Sequence, residues 1–216
     1  MTPKKTIAVI AATGGVGQHV VQKAIEQGYK VHALARSPEK ITLDHPLLTK
    51  FKVDVQNKES LLEGLKGVDV VLSCLGNTKG NKGPIVEVGT QNIIQVMEAF
   101  ECRQLAIISS IGVGDSAKQL FKLGLPGWIF SFFFHTFLSS TRRDLNAGEQ
   151  AVAQSGLNYV IVRPSGLSYK AGIGSWQESD AKGRVGSLIA REDVALCMLD
   201  LVTKDRFHRQ AISIGN

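Results

Sequence analysis

The sequence predicts an α/β fold, a doubly wound parallel sheet of about seven strands with helices on both faces. The opening apolar run, Ile7–Ala11, breaks into a glycine turn and then into a helical pattern. Further along, short apolar stretches alternate with amphipathic ones, the pattern that right-handed crossovers turn into a parallel sheet. The 216 residues, 44% of them apolar, are enough to bury one sizeable core, and no Gly/Pro- or Ser-rich linker and no internal repeat divides them. The expected organisation is a single domain over residues 1–216 with an aromatic helical insertion at about 117–141.

Ile7-Ala8-Val9-Ile10-Ala11 is small and apolar throughout, as a strand covered on both faces must be. Thr13–Gly17 then leads into a helix from Gln18 to Gln27. Tyr29–Ala35 reads as the second strand, Phe51–Val55 as the third, Lys58–Lys66 as a brief helix and Val68–Leu75 as the fourth strand. A loop rich in Gly and Asn, Gly76–Gly83, follows. Pro84 suits the first turn of a helix to Phe100, in which Val86, Ile93, Met97 and Phe100 share a face. Leu105–Ser109, Tyr159–Val162 and Ala211–Ile214 complete the strands, with helices at Asp144–Ser155 and Arg191–Val202. The expected strand order is 3-2-1-4-5-6-7.

A strand, glycine turn and helix in succession aim backbone N–H groups and the positive helix end at one point. That geometry receives the pyrophosphate of a dinucleotide. Ala11, Gly14 and Gly17 align with the three fingerprint glycines, and Ala12, Thr13, Gly15 and Val16 complete the loop. Ala11 in place of the turn glycine is compatible with the loop if its φ is negative. An NAD site places a carboxylate at the end of the second strand, but here that strand ends in Arg36-Ser37 with no acid until Glu39. Arg36 can stack on adenine and grip a 2′-phosphate, helped by Ser37 and Lys40, so NADPH/NADP+ is expected over NADH. Asp54 either accepts from the adenine amino group beside the Val55 N–H or caps the next helix; Leu75 and Gly76 lie against the ribose.

The formal charge of +6 favours phosphate-bearing ligands but forms no stripe, and no basic–aromatic interleaving marks a nucleic-acid platform. The three cysteines, Cys74, Cys102 and Cys197, have no metal-ligand or CxxC spacing and read as buried small hydrophobes. No metal is expected. The odd cysteine count and the lack of a signal-peptide pattern suggest a cytoplasmic location.

Several stretches together resemble the atypical short-chain dehydrogenase/reductases with a single NAD(P)H-binding domain, a Rossmann-type group that includes the biliverdin/flavin reductases and NAD(P)-binding regulators. They are ATGGVG (12–17), Arg36, the DV pair (54–55), CLGNT (74–78), IISSIGVGDS (107–116), SGLNYVIVRPSGL (155–167) and IAREDVA (189–195). The resemblance implies that Ser109 and Ser110 lie beside the nicotinamide, where either hydroxyl orients a substrate carbonyl or the carboxamide. It also implies that Arg163-Pro164-Ser165-Gly166 forms a loop after the sixth strand along the nicotinamide face. There Pro164 holds the loop, and the backbone of Ser165, Gly166 and Leu167 meets the carboxamide. The family's Tyr-x-x-x-Lys pair is absent: four residues after Tyr29, Tyr159 and Tyr169 stand Ala33, Arg163 and Ile173. The lysine that many single-domain relatives carry in the next helix corresponds to Leu145, and the histidine of the biliverdin/flavin reductases to Gly166.

Leu120–Leu138 holds six of the nine phenylalanines plus Trp128, and no formal charge falls between Leu123 and Thr141. A single membrane crossing would separate elements that must pack on one sheet, and Gly124, Pro126 and Gly127 interrupt a helix. The segment is expected to wall an apolar substrate pocket, with Trp128, Phe134, His135 and Arg142 as lining, or to form a homodimer, partner or membrane-surface contact. The expected function is NADPH-dependent hydride transfer to a small planar or apolar acceptor (flavin, quinone or carbonyl compound). The alternative is a non-catalytic NADP(H) sensor or regulator that engages a partner or membrane through this segment.

Overall fold

A computed structural model describes residues 4–76, 83–114, 139–180 and 185–216. The whole aromatic segment Leu120–Leu138, with Trp128, Phe134 and His135, lies outside the described residues, as does most of the Gly76–Gly83 loop. The strands are β1 (Thr6–Ile10), β2 (Lys30–Ala35), β3 (Leu48–Lys52), β4 (Val70–Ser73), β5 (Gln104–Ile108), β6 (Asn158–Pro164), β7 (Gly166–Ser168), β8 (Gln177–Ser179), β9 (Leu188–Ala190) and β10 (Gln210–Gly215). The α-helices are α1 (Gly17–Glu26), α2 (Lys58–Leu65), α3 (Ile85–Ala99), α4 (Ser139–Gln154) and α5 (Arg191–Thr203). The main sheet runs β3-β2-β1-β4-β5-β6-β10-β8, parallel except for the antiparallel edge β8. This is the expected order with one edge strand added. A second, small parallel sheet pairs β7 with β9.

Strand alternation divides the core in two. Ile7 and Val9 face α1 and α5, packing with Val20, Ala24, Val194, Met198 and Leu201. Ala8 and Ile10 face α2, α3 and α4, packing with Leu61, Ile93, Met97, Leu145 and Val152. The uninterrupted apolar run of β1 is thus explained by two covered faces, and Ile7, Ala8, Val9 and Ile10 are all fully buried. β1 pairs with β2 on one side and β4 on the other, so the order reverses there and a crevice opens at the carboxyl ends.

The bounds shift where burial is partial. β3 is Leu48–Lys52 rather than Phe51–Val55, because this edge strand pairs in register with Val31–Ala35 and turns away at Val53. β6 extends through Pro164, so Arg163 and Pro164 belong to the strand and not to a following loop. Among the described residues α4 spans Ser139–Gln154 and so includes Ser139–Thr141, at the end of the expected helical insertion. No helix among the described residues is long and apolar enough to cross a membrane.

The β1–α1 turn departs from expectation at its first position. Ala11 has φ +56°, the left-handed region that costs a residue with a Cβ about 1–2 kcal/mol. Its carbonyl is turned inward, accepting from the Gly14 N–H at 2.8 Å. A Cβ on Gly17 would come 2.3 Å from that same oxygen. Elsewhere, Arg163 and Glu149 form a buried two-bond ion pair linking β6 to α4, with Nε–Oε1 3.0 Å and Nη2–Oε2 2.6 Å. Gly114, at φ +58°, closes over it where a Cβ would lie 2.5 Å from Arg163 Nη2.

Two outcomes follow for stability. Helix propensity alone gives Gly17→Ala about 1 kcal/mol of stabilisation. The backbone clash reverses that sign, and urea denaturation should show a net loss of about 1–3 kcal/mol. Glu149→Ala strands a buried guanidinium and should lower unfolding free energy by about 3–5 kcal/mol in the same assay; a loss below about 1 kcal/mol would contradict the buried-pair assignment.

Candidate cofactor-binding site

A groove of about 580 Å³ runs along the carboxyl ends of the first five strands, within the usual range for small-molecule sites. Thr13, Gly14, Gly15 and Val16 form its wall at the β1–α1 turn. α1 starts here without a capping side chain and without an acid in its first turn. By contrast, Asn57 caps α2, and the Asp144 carboxylate accepts from the Val86 and Glu87 N–H groups at the start of α3. The positive end of α1 is therefore left to an anion from outside the helix. Ala12 and Gly17 serve the turn from behind. Ala12 is buried and donates its N–H to the Leu34 carbonyl, and neither residue lines the groove.

Arg36, Ser37 and Lys40 line the next stretch, beyond the end of β2. Opposite them, Asp54, Val55 and Gln56 continue from β3. The Asp54 carboxylate accepts from the Gln56 N–H at 3.0 Å and so closes its own turn. The cap of α2 is Asn57, which removes the helix-cap alternative for Asp54. Asn92 of α3 donates to the Val55 carbonyl, fixing this loop from beneath. Leu75 and Gly76 line the groove after β4, and a Cβ on Gly76 would meet nothing within 4 Å.

The far end is apolar. Ile108, Leu145, Leu167 and Cys74 surround Ser109, whose buried hydroxyl has no hydrogen-bond partner. Ser110 is outside the lining, and its hydroxyl accepts from the Gly112 N–H at 3.4 Å. Both serines lie beyond the end of β5, where the chain turns back through the Val113 N–H to Ser110 carbonyl bond at 3.0 Å, and Ser109 is the one that lines the groove. Pro164, Ser165 and Gly166 are likewise outside the lining; of that expected loop only Leu167 reaches it. Ser165 donates its N–H to Ile214 and Gly166 to Ser187, and a Cβ on Gly166 would lie 2.7 Å from the Leu188 side chain. These backbone bonds tie the segment to β10 and to the residue before β9. Arg142 sits on α4 outside the groove lining, half-buried, with its Nε unpartnered.

Several groove residues, among them Gln56, Ile85, Thr141 and Arg191, do not stand out in the sequence. Thr141 lies one helical turn before Leu145 on α4, a spacing visible only once the helix is known to begin at Ser139. Arg191 arrives from the first turn of α5. Leu145 occupies the position where the resemblance expects a lysine, so the groove has no amine there. Burial pushes the Cys74 thiol up to about 12, and it remains protonated near neutral pH. Among the described residues no cluster of His, Cys, Asp or Glu suited to a metal is found.

The groove fits a dinucleotide. It has an uncapped helix end behind bare glycines, cations beyond β2, and an apolar end with one orphaned hydroxyl. A family model described as NAD(P)H-binding matches residues 11–205. Protein TIC 62, chloroplastic, of Arabidopsis thaliana is 24% identical over 74% of this chain, which spans only 27% of that protein's length. A short-chain dehydrogenase/reductase from Veillonella parvula in complex with NADP superposes with TM-score 0.78 at 18% identity, covering 98% of this chain and 94% of the other. ChuY of Escherichia coli O157:H7, described as an anaerobillin reductase, superposes with TM-score 0.78 at 20% identity over 97% and 96% of the two chains. At these identities the structural likenesses establish the Rossmann fold, and the sequence match establishes membership: the chain belongs to the NAD(P)H-binding family.

Proposed function

We propose that the protein is an NADPH-dependent reductase that passes hydride to a small planar or apolar acceptor. The observation that carries this reading is Ser109: a buried, unpartnered hydroxyl at the apolar end of a groove whose other end is built for phosphate. A bound nicotinamide supplies the hydride. Arg36, with Ser37 and Lys40, holds the 2′-phosphate; Asp54 and Val55 meet the adenine, and Leu75 and Gly76 the ribose. Ser109 orients a carbonyl oxygen of the acceptor or the carboxamide, and Ile108, Leu145 and Leu167 exclude water from the reacting face. The ChuY likeness supports a reductase reading without naming the acceptor for this chain.

Chemistry narrows the acceptor further. Neither a Tyr–Lys pair nor a lysine at position 145 is present, and the Cys74 thiol is held neutral and is a poor acid. An acceptor that draws its proton from water fits best, which favours a flavin or quinone over an isolated ketone. The same lack of an obvious proton donor among the described residues supports a second reading, in which NADP(H) is bound for sensing or regulation and Leu120–Leu138 engages a partner or membrane.

Arg36→Ala should weaken NADPH binding by more than tenfold and NADH binding by less than twofold in calorimetry. Equal losses would refute a 2′-phosphate role. Purified protein should oxidise NADPH in the presence of quinone or free flavin, followed as loss of nicotinamide absorbance. Tight NADPH binding with no turnover across that panel would decide for the regulatory reading.

A further inference from the structure

Arg191 is half-buried and differs from the paired arginines of the described residues. Arg163 is paired with Glu149, and Arg206 with Glu178 and Asp200. Arg191 makes no ion pair among the described residues, and its Nη1 is buried without a hydrogen-bond partner. It also sits in the first turn of α5, where the helix dipole opposes a positive charge. Among the described residues no carboxylate answers this guanidinium, yet its place is well defined.

The restraint comes from several sides. The Tyr169 ring lies 3.8 Å from the guanidinium carbon. The next two residues of α5 anchor the segment carrying that ring: Glu192 accepts from the Gly172 N–H, and Asp193 accepts from the Ile173 and Gly174 N–H groups. Lys23 of α1 bridges to Glu192 at 3.1 Å, tying α5 to α1. On its inner side the side chain lies against the glycine turn, where a Cβ on Gly15 would come 2.8 Å from Arg191 Nε and 3.0 Å from its Cδ. A side chain at position 15 would have to displace this arginine. Arg191 and Gly15 both line the groove beside the uncapped start of α1.

We infer that Arg191 is a second phosphate-binding cation, reaching from α5 across the Gly15 turn to the cofactor's pyrophosphate. The inference rests on the dinucleotide reading above. The turn and the dipole of α1 bind the diphosphate from below through backbone groups, and Arg191 adds a planar pair of donors from the opposite wall. Tyr169 keeps the guanidinium extended, so little side-chain freedom is lost when the phosphate arrives. Arg36 and Arg191 thus divide the anionic charge of the cofactor, one at the adenosine phosphate and the other at the diphosphate.

The test compares wild type, Arg191→Met, Arg191→Lys and Arg36→Ala for binding of NADP+, ADP-ribose and adenosine 2′-monophosphate. Arg191→Met keeps the apolar stem and should lose about tenfold or more for NADP+ and ADP-ribose, with less than twofold change for adenosine 2′-monophosphate. Arg191→Lys should fall between it and wild type. Arg36→Ala should show the converse pattern, losing adenosine 2′-monophosphate and sparing ADP-ribose. The melting temperature of unliganded Arg191→Met should match or exceed wild type, since an unanswered charge is removed. Unchanged NADP+ binding, equal losses for all three ligands, or failure of Arg191→Met to fold would overturn the assignment. Failure of the wild type to bind NADP+ at all would instead overturn the dinucleotide reading, and this inference with it.

Discussion

The close approach of β1 and α1 at Ala11–Gly17 is the constraint on which the rest of the structure depends. The Ala11 carbonyl is turned into the loop by a left-handed backbone, accepts the Gly14 N–H, and leaves no room for a Cβ on Gly17. That contact sets where α1 begins, and so where its unsatisfied N–H groups are delivered. Because β1 is the strand at which the sheet order reverses, the same contact places the helix end in the crevice between oppositely directed crossovers. The loops after β2, β3 and β4 then converge on a point that β1 and α1 have already fixed.

The distribution of satisfied and unsatisfied polar groups separates scaffold from site. Asp144 caps α3, Glu149 and Arg163 satisfy one another, and Asp193 gathers the 173–174 backbone and Asn216. Each carboxylate is buried but answered, as burial of charge requires. The orphans are different. Ser109 Oγ and Arg191 Nη1 both belong to groove-lining residues, at the apolar and phosphate ends respectively. An unanswered buried polar atom costs stability, so two of them lining one groove are more easily explained by a ligand than by packing. Ser165 Oγ and Arg142 Nε are also unpartnered, and nothing in the structure explains them.

The groove is well furnished for binding and poorly furnished for proton transfer. Arg36, Lys40, Arg191 and the start of α1 bring positive charge to one part of the groove, whereas the described lining of the other part offers the Ser109 and Thr141 hydroxyls, an apolar wall and a thiol kept neutral by burial. Among the described lining residues there is no obvious proton donor at that end. Leu145 shows the difference most directly, since it buries a side chain against α3 and the sheet at the position where the resemblance expects a charged amine.

Local pattern made much of this legible in the sequence. The doubly covered β1, the glycine turn, the alternating elements and the arginine at the end of β2 are each written in a few adjacent residues, and together they give the fold class and strand order. What neighbouring residues do not encode was decided by tertiary structure. The path of the chain beyond β5 determined that Ser109 and not Ser110 lines the groove. The sign of φ at Ala11 followed from the carbonyl contact with Gly14, and the extension of β6 from pairing with β10 made Arg163 a buried ion-pair partner. The contact of Arg191 with Gly15 joins opposite ends of the chain. No spacing rule reaches that far, because only the packing of α5 against α1 brings the two together.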